Sequence, residues 1–104
     1  MPRPDPIRAS LTSLAASSRL VIRPACRGAV VSITERGRLR GYLCHSSQLA
    51  GAGLRRREPV TATTLAKQAG LLLDLLAAGD GDLQPVTVAG VEVLALVPVR
   101  VWRG

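Results

Sequence analysis

The sequence predicts an α+β fold in which two strand–helix–hairpin units, fused in one chain, close a single antiparallel-rich sheet about a pseudo-two-fold axis. Three observations predict it. Shifted by 53 positions, Pro6–Leu43 lies over Pro59–Leu96 without a gap, and nine of those 38 positions are identical. Chance in so skewed a composition gives roughly three or four. Secondly, Leu65, Ala69, Leu72, Leu73 and Leu76 recur at helical spacing. Thirdly, each unit ends in two apolar runs separated by a tight glycine-containing corner, a hairpin pattern.

Unit 1 spans residues 1–50. Leu11, Leu14 and Ala15 begin a helical stripe, and Leu20-Val21-Ile22 adds a second apolar cluster that Pro24 is expected to stop. Strands follow at Val30–Thr34 and Arg38–Leu43, turning at Glu35-Arg36-Gly37. Ser46–Ala50 reads as one helical turn. Residues 51–59 form a joint carrying Arg55-Arg56-Arg57. Unit 2 spans residues 60–104. Thr61 or Thr63 caps its helix, Gly79 stops it, and Lys67 and Asp74 lie off the apolar stripe. The strand Val91–Val97 is apolar on both faces, which suits a central strand covered twice. A unit of about 45 residues buries too little surface to fold alone, so the two are expected to share one core.

Composition bounds the function. The 104 residues carry 14 Lys+Arg against 7 Asp+Glu, a formal charge of +7, and are 47% apolar, too hydrophobic for a disordered tail. Residues 1–53 hold eight Arg against Asp5 and Glu35, for +6; residues 54–104 hold five Arg and Lys67 against five acids, for +1. That excess makes nucleic acid the first partner to consider, although a GC-rich genome also supplies arginine without function. The N-terminus lacks the apolar run of a secretory signal, and Leu83–Val99 is too short and too interrupted to span a membrane. A cytoplasmic protein is expected, nucleoid-associated if it binds DNA.

Enzymatic and metal chemistry find no support in the sequence. Cys44 and His45 are adjacent and so point to opposite faces of a strand, and no C-x-x-C exists. Cys26 and Cys44 read as buried free thiols. Neither a nucleophile elbow nor a phosphate-binding glycine motif appears. No enzyme, cofactor or metal is expected.

Unit 2, VTATTLAKQAGLLLDLLAAG followed by PVTVAGVEVLALVP, resembles the N-terminal domain of the prevent-host-death (Phd/YefM) antitoxin family. RGAVVSITERGRLRGYL in unit 1 has the same Gly-to-Thr-to-Gly spacing. The resemblance implies a short strand, a helical pair ending in glycine and a hairpin, normally one unit per chain paired as a homodimer; here one chain supplies both. It also implies DNA contact by the first strand and the start of the first helix. Carried over, that implicates Arg8 and Ser10, with Thr61, Thr63 and Lys67 in unit 2, and Arg3 adds charge nearby. Family members neutralise a toxin with a C-terminal segment. Val99–Gly104 is short for that task, so the DNA-binding half of the role is the one expected.

Further basic candidates are Arg36, Arg38 and Arg40 at the first hairpin, with Arg38, Arg40 and Tyr42 expected on one strand face. Arg55, Arg56 and Arg57 read either as a flexible linker or as an arm for a minor groove. Double-stranded DNA is favoured over single-stranded RNA, because only 2% of the residues are aromatic. The alternative is a protein-interaction module or toxin partner without DNA binding. There Val99, Val101 and Trp102 form a sticky edge strand that docks a second protein, or a second copy of the chain as a homodimer.

Overall fold

The computed structural model describes residues 7–102. β1 (Ile7–Ser10) hands over to α1 (Leu11–Ala16) at Ser10, whose Oγ accepts the Ser13 backbone N–H at 3.0 Å. That bond satisfies one of the free amides of the first turn. After a break at Ser17, α2 (Ser18–Cys26) turns Val21, Ile22 and Ala25 inward. Pro24 does not stop this helix, contrary to the sequence expectation. The helix closes just beyond it, where Ala29 N–H donates to Pro24 O and Gly28 N–H to Ala25 O. Gly28 adopts φ +98° to permit this double closure.

β2 (Val31–Glu35) and β3 (Arg38–His45) form the first hairpin, and β6 (Asp82–Val88) and β7 (Val91–Pro98) the second. Both turn through two residues of positive φ, Arg36-Gly37 and Ala89-Gly90. Such turns match the twist of the flanking strands. Between the hairpins, β4 (Arg55–Arg56) and β5 (Val60–Thr61) both pair in parallel with β6. The joint is therefore docked along its sheet neighbour. It buckles between Arg56↔Leu83 and Val60↔Val86, opposite Pro85, which has no N–H to offer. Gln84 spans the gap by donating to Glu58 O at 2.6 Å.

Thr61 is the cap of α3 (Ala62–Ala78): its Oγ1 accepts Thr64 N–H at 3.1 Å, and Thr63 sits inside the first turn. The predicted stripe is the buried one, Leu65, Ala69, Leu72, Leu73 and Leu76. The sequence did not announce the kink at Gln68 (φ −125°, ψ 19°) that splits the helix into two segments. A Cβ at Gly79 would lie 2.6 Å from Asp82 Oδ2, so the helix ends where that carboxylate needs room.

The described residues form a mixed seven-stranded sheet of order β1-β2-β3-β7-β6-β4, with β5 also on β6. β3 and β7 make its central antiparallel seam, with Leu43 opposite Leu96. Gly41 is required there, because a Cβ would stand 2.4 Å from Val97 O. All three helices cover one sheet face, burying Leu14, Ile22, Leu65 and Leu73 against Ile33, Leu43, Val86, Leu94 and Leu96. A smaller cluster of Leu83, Ala95 and Val97 lies on the other face under Tyr42, Leu49, Leu54 and Trp102. β7 is thus covered on both faces, as its composition predicted.

The expected edge strand at the end of the chain does not form. Pro98 ends β7, and Val99–Val101 is a 3-10 turn that carries Trp102 back onto Tyr42, with ring centroids 5.2 Å apart. Arg100 pins the turn by donating to Ala77 O at 2.6 Å and Gly79 O at 2.7 Å. Ala77 O is a terminal carbonyl of α3 that lacks a helical partner, and Gly79 is the residue that caps the helix.

Candidate nucleic-acid interface

The basic residues divide into those that the fold neutralises and those that it leaves open. Arg55, Arg56 and Arg57, contiguous in sequence, are ion-paired. Arg55 lies 4.0 Å and Arg57 3.4 Å from the Asp82 carboxylate, and Arg56 pairs with Glu92. The Asp82 side chain is only 9% exposed; Arg57 donates to its Oδ2, while Oδ1 has no hydrogen-bond partner and faces Arg55 at longer range. Together with Glu58, Val60 and Gln84 they line a shallow groove.

Arg40 is neutralised as well. It is the extra residue of a β-bulge between the pairs Ile33↔Gly41 and Thr34↔Leu39. The bulge turns its side chain to the helix face, where it pairs with Glu35 and Asp74 and approaches Gly70 O at 3.4 Å. Tyr42 stays on the opposite face against Trp102. The expected single face of Arg38, Arg40 and Tyr42 is therefore corrected, because a bulge breaks strict alternation.

Among the described residues, Arg8, Arg19, Arg23, Arg27, Arg36, Arg38, Lys67 and Arg100 are exposed and form no ion pair, although Arg100 is held by carbonyls at the end of α3. Six of the eight belong to residues 7–53. Arg8 lies on edge strand β1, beside the Ser10 cap. Arg36 and Arg38 sit at the tip of the first hairpin, and Lys67 and Thr63 on the open side of α3. Arg3 falls outside the described residues.

Arg19, Arg23 and Arg27 were not singled out from sequence. Their signal was present, at positions i, i+4 and i+8 opposite the inward Val21, Ile22 and Ala25. Ending the helix at Pro24 hid it. No acidic residue stands in the first turn of α2.

On the far sheet face, Gln48, Leu49, Ala52, Leu54, Gly81, Val101 and Trp102 line a groove of about 490 Å³. Val99 is exposed, while Val101 and Trp102 are half-buried. Cys44 is buried and its thiol is pushed up to about 11 by desolvation, which keeps it protonated and unreactive; Cys26 is only partly buried. Among the described residues no three His, Cys, Asp or Glu side chains gather to hold a metal ion, and no helix is long and apolar enough to cross a membrane. No protein-family model, curated protein or solved structure matches the chain.

Proposed function

We propose that the protein is a non-enzymatic, double-stranded-DNA-binding regulator built from two Phd/YefM-like units in one chain. The observation that carries the reading is the set of exposed, unpaired cations on residues 7–53: Arg8, Arg19, Arg23, Arg27, Arg36 and Arg38. An array of uncompensated guanidinium groups on one half of a compact domain draws a polyanion by releasing its counterions.

The two-unit reading rests on landmarks that recur along the chain. The caps Ser10 and Thr61, the helix breaks Ser17 and Gln68, and the glycines Gly28 and Gly79 each stand 51 residues apart. The hairpin bulges and turns recur at 53, with Val93 of β7 the extra residue matching Arg40 of β3, which places the two extra residues of unit 2 between Gly79 and β6 residue Val86. The seam is self-reciprocal at that spacing: Tyr42↔Val97 mirrors Cys44↔Ala95 across Leu43↔Leu96. This is the pairing a pseudo-two-fold axis through the seam requires. The equivalent of Ser10 is then Thr61, and Thr63 has no counterpart role.

A fluorescence-anisotropy titration against duplexes from the protein's own promoter region, at several salt concentrations, tests the function. Affinity falling steeply and linearly in log[salt] is expected. Absence of salt-sensitive binding to any duplex would sink the regulator reading. The groove beside Trp102 favours a second reading, a protein-interaction module or toxin-partner adaptor. A stoichiometric protein complex lost in Trp102→Ala, without DNA binding, would select it.

A further inference from the structure

Resting on the DNA-binding reading, the geometry points to a specific reading element: we infer that α2 lies in the major groove, with Arg19, Arg23 and Arg27 on the phosphates and Leu20 against base edges. This differs from the first strand and first-helix start that the family resemblance implicates.

Four residues advance a helix by about 6 Å, so the backbone positions of Arg19, Arg23 and the C-cap Arg27 follow one line about 12 Å long. A line of cations suits an extended polyanion. A small anion needs converging donors, whereas these three exposed side chains are spaced by successive helical turns. The helix's own energetics do not account for them either. Arg23 and Arg27 near the C-terminal end complement the backbone dipole, but Arg19 is the second residue of α2, where a cation is unfavourable. No acid in that turn offsets it.

Leu20 strengthens the assignment. It is 75% exposed, between Arg19 and Arg23 in the chain, on a helix whose buried side is already filled by Val21, Ile22 and Ala25. In a major groove an apolar side chain has a defined partner, the thymine methyl group. The helix is also held as a firm platform. Gly28 closes its end, and Gln48 Nε2 donates to Gly28 O at 2.6 Å. The corresponding stretch of α3 carries Gly70, Asp74 and Ala78 in place of the three arginines. Each chain therefore has one such helix.

The test uses the full chain and fluorescein-labelled duplexes of mixed sequence. The triple variant Arg19→Ala/Arg23→Ala/Arg27→Ala should keep the circular dichroism of the parent, since all three side chains are exposed. Its log K against log[salt] plot should flatten by about 2.7, at about 0.9 for each lost phosphate contact. Replacing thymidine by deoxyuridine should weaken the parent about fourfold, the worth of one buried methyl, and leave Leu20→Ala unaffected. Duplex RNA should bind less well, because the A-form major groove does not admit a helix.

If the parent binds no duplex DNA with salt sensitivity, the functional reading fails and the inference with it. If the parent binds and the triple variant keeps the parental slope, while Arg8→Ala/Arg36→Ala/Arg38→Ala flattens it, the inference alone is overturned. Equal or tighter binding of duplex RNA also overturns it. So does an equal response of the parent and Leu20→Ala to deoxyuridine.

Discussion

Residues 7–45 and 60–98 run through the same order of strand, broken helix and hairpin, and their helical layers agree on the buried face while differing in charge on the outer one. Leu14 and Leu65, Val21 and Leu72, Ile22 and Leu73, and Ala25 and Leu76 stand 51 residues apart and are buried in both halves. The outward charges at the same spacing differ: Arg19 stands against Gly70, Arg23 against Asp74 and Arg27 against Ala78, although Leu20 and Leu71 are exposed in both halves. Packing constrains the inner face of each helical layer, while the outer face is free to take on charge in one half and shed it in the other. The difference teaches that the shared scaffold and the basic surface are separable properties.

Paired substitutions probe that separation, beginning with the core. Leu14→Ala and Leu65→Ala should each cost about 3 kcal/mol in urea unfolding, because both side chains are fully buried in one cluster. A single transition with similar losses is expected from a shared core. Two separate transitions would show that the halves fold independently and break the comparison.

Arg57→Ala comes next, at about 1–3 kcal/mol, since it strips a partner from the buried Asp82 carboxylate. Asp82→Asn in the same chain should recover much of the loss, and the DNA salt slope should not move. The α2 arginines should behave in the opposite way, changing the slope with stability held within about 0.5 kcal/mol. Loss of the caps by Ser10→Ala and Thr61→Ala should cost about 1 kcal/mol each. Unequal values would show that one helical layer depends on its cap more than the other.

Cysteine chemistry gives an effect confined to high pH. Burial raises the Cys44 thiol from 9.0 to about 11, favouring the protonated, folded form. Its contribution to stability is therefore complete below pH 9 and is lost as pH rises through about 11. Thiol-reagent labelling at pH 8 should modify Cys26 first, with Cys44 following only as the chain opens.

The sequence made the hairpins, the α3 stripe and the doubly covered β7 legible, because each rests on a local period that burial enforces. Pro24 was misread because its local cost is outweighed by the packing of Val21, Ile22 and Ala25, a tertiary effect. Arg40 was misplaced because one extra residue in a bulge reverses the alternation beyond it. The candidate site suffered most. Arg55-Arg56-Arg57 attracts attention by being contiguous, but a strand edge delivers its members to Asp82 and Glu92. Arg19, Arg23 and Arg27 are scattered in the sequence, and a helix gathers them. Contiguity in a chain is a poor guide to convergence in space.

The seam between β3 and β7 has a consequence for how such a surface can change. In a symmetric homodimer every substitution appears twice, so a new charge meets its own copy across the axis. Here Leu43 faces Leu96 within one covalent chain. A mutation alters one half and leaves the other as it was. The joint also holds the two halves at a fixed high local concentration, so pairing does not depend on protein abundance. A chain cut within Gly51–Gly53 would restore that dependence, and dilution alone would then unfold it.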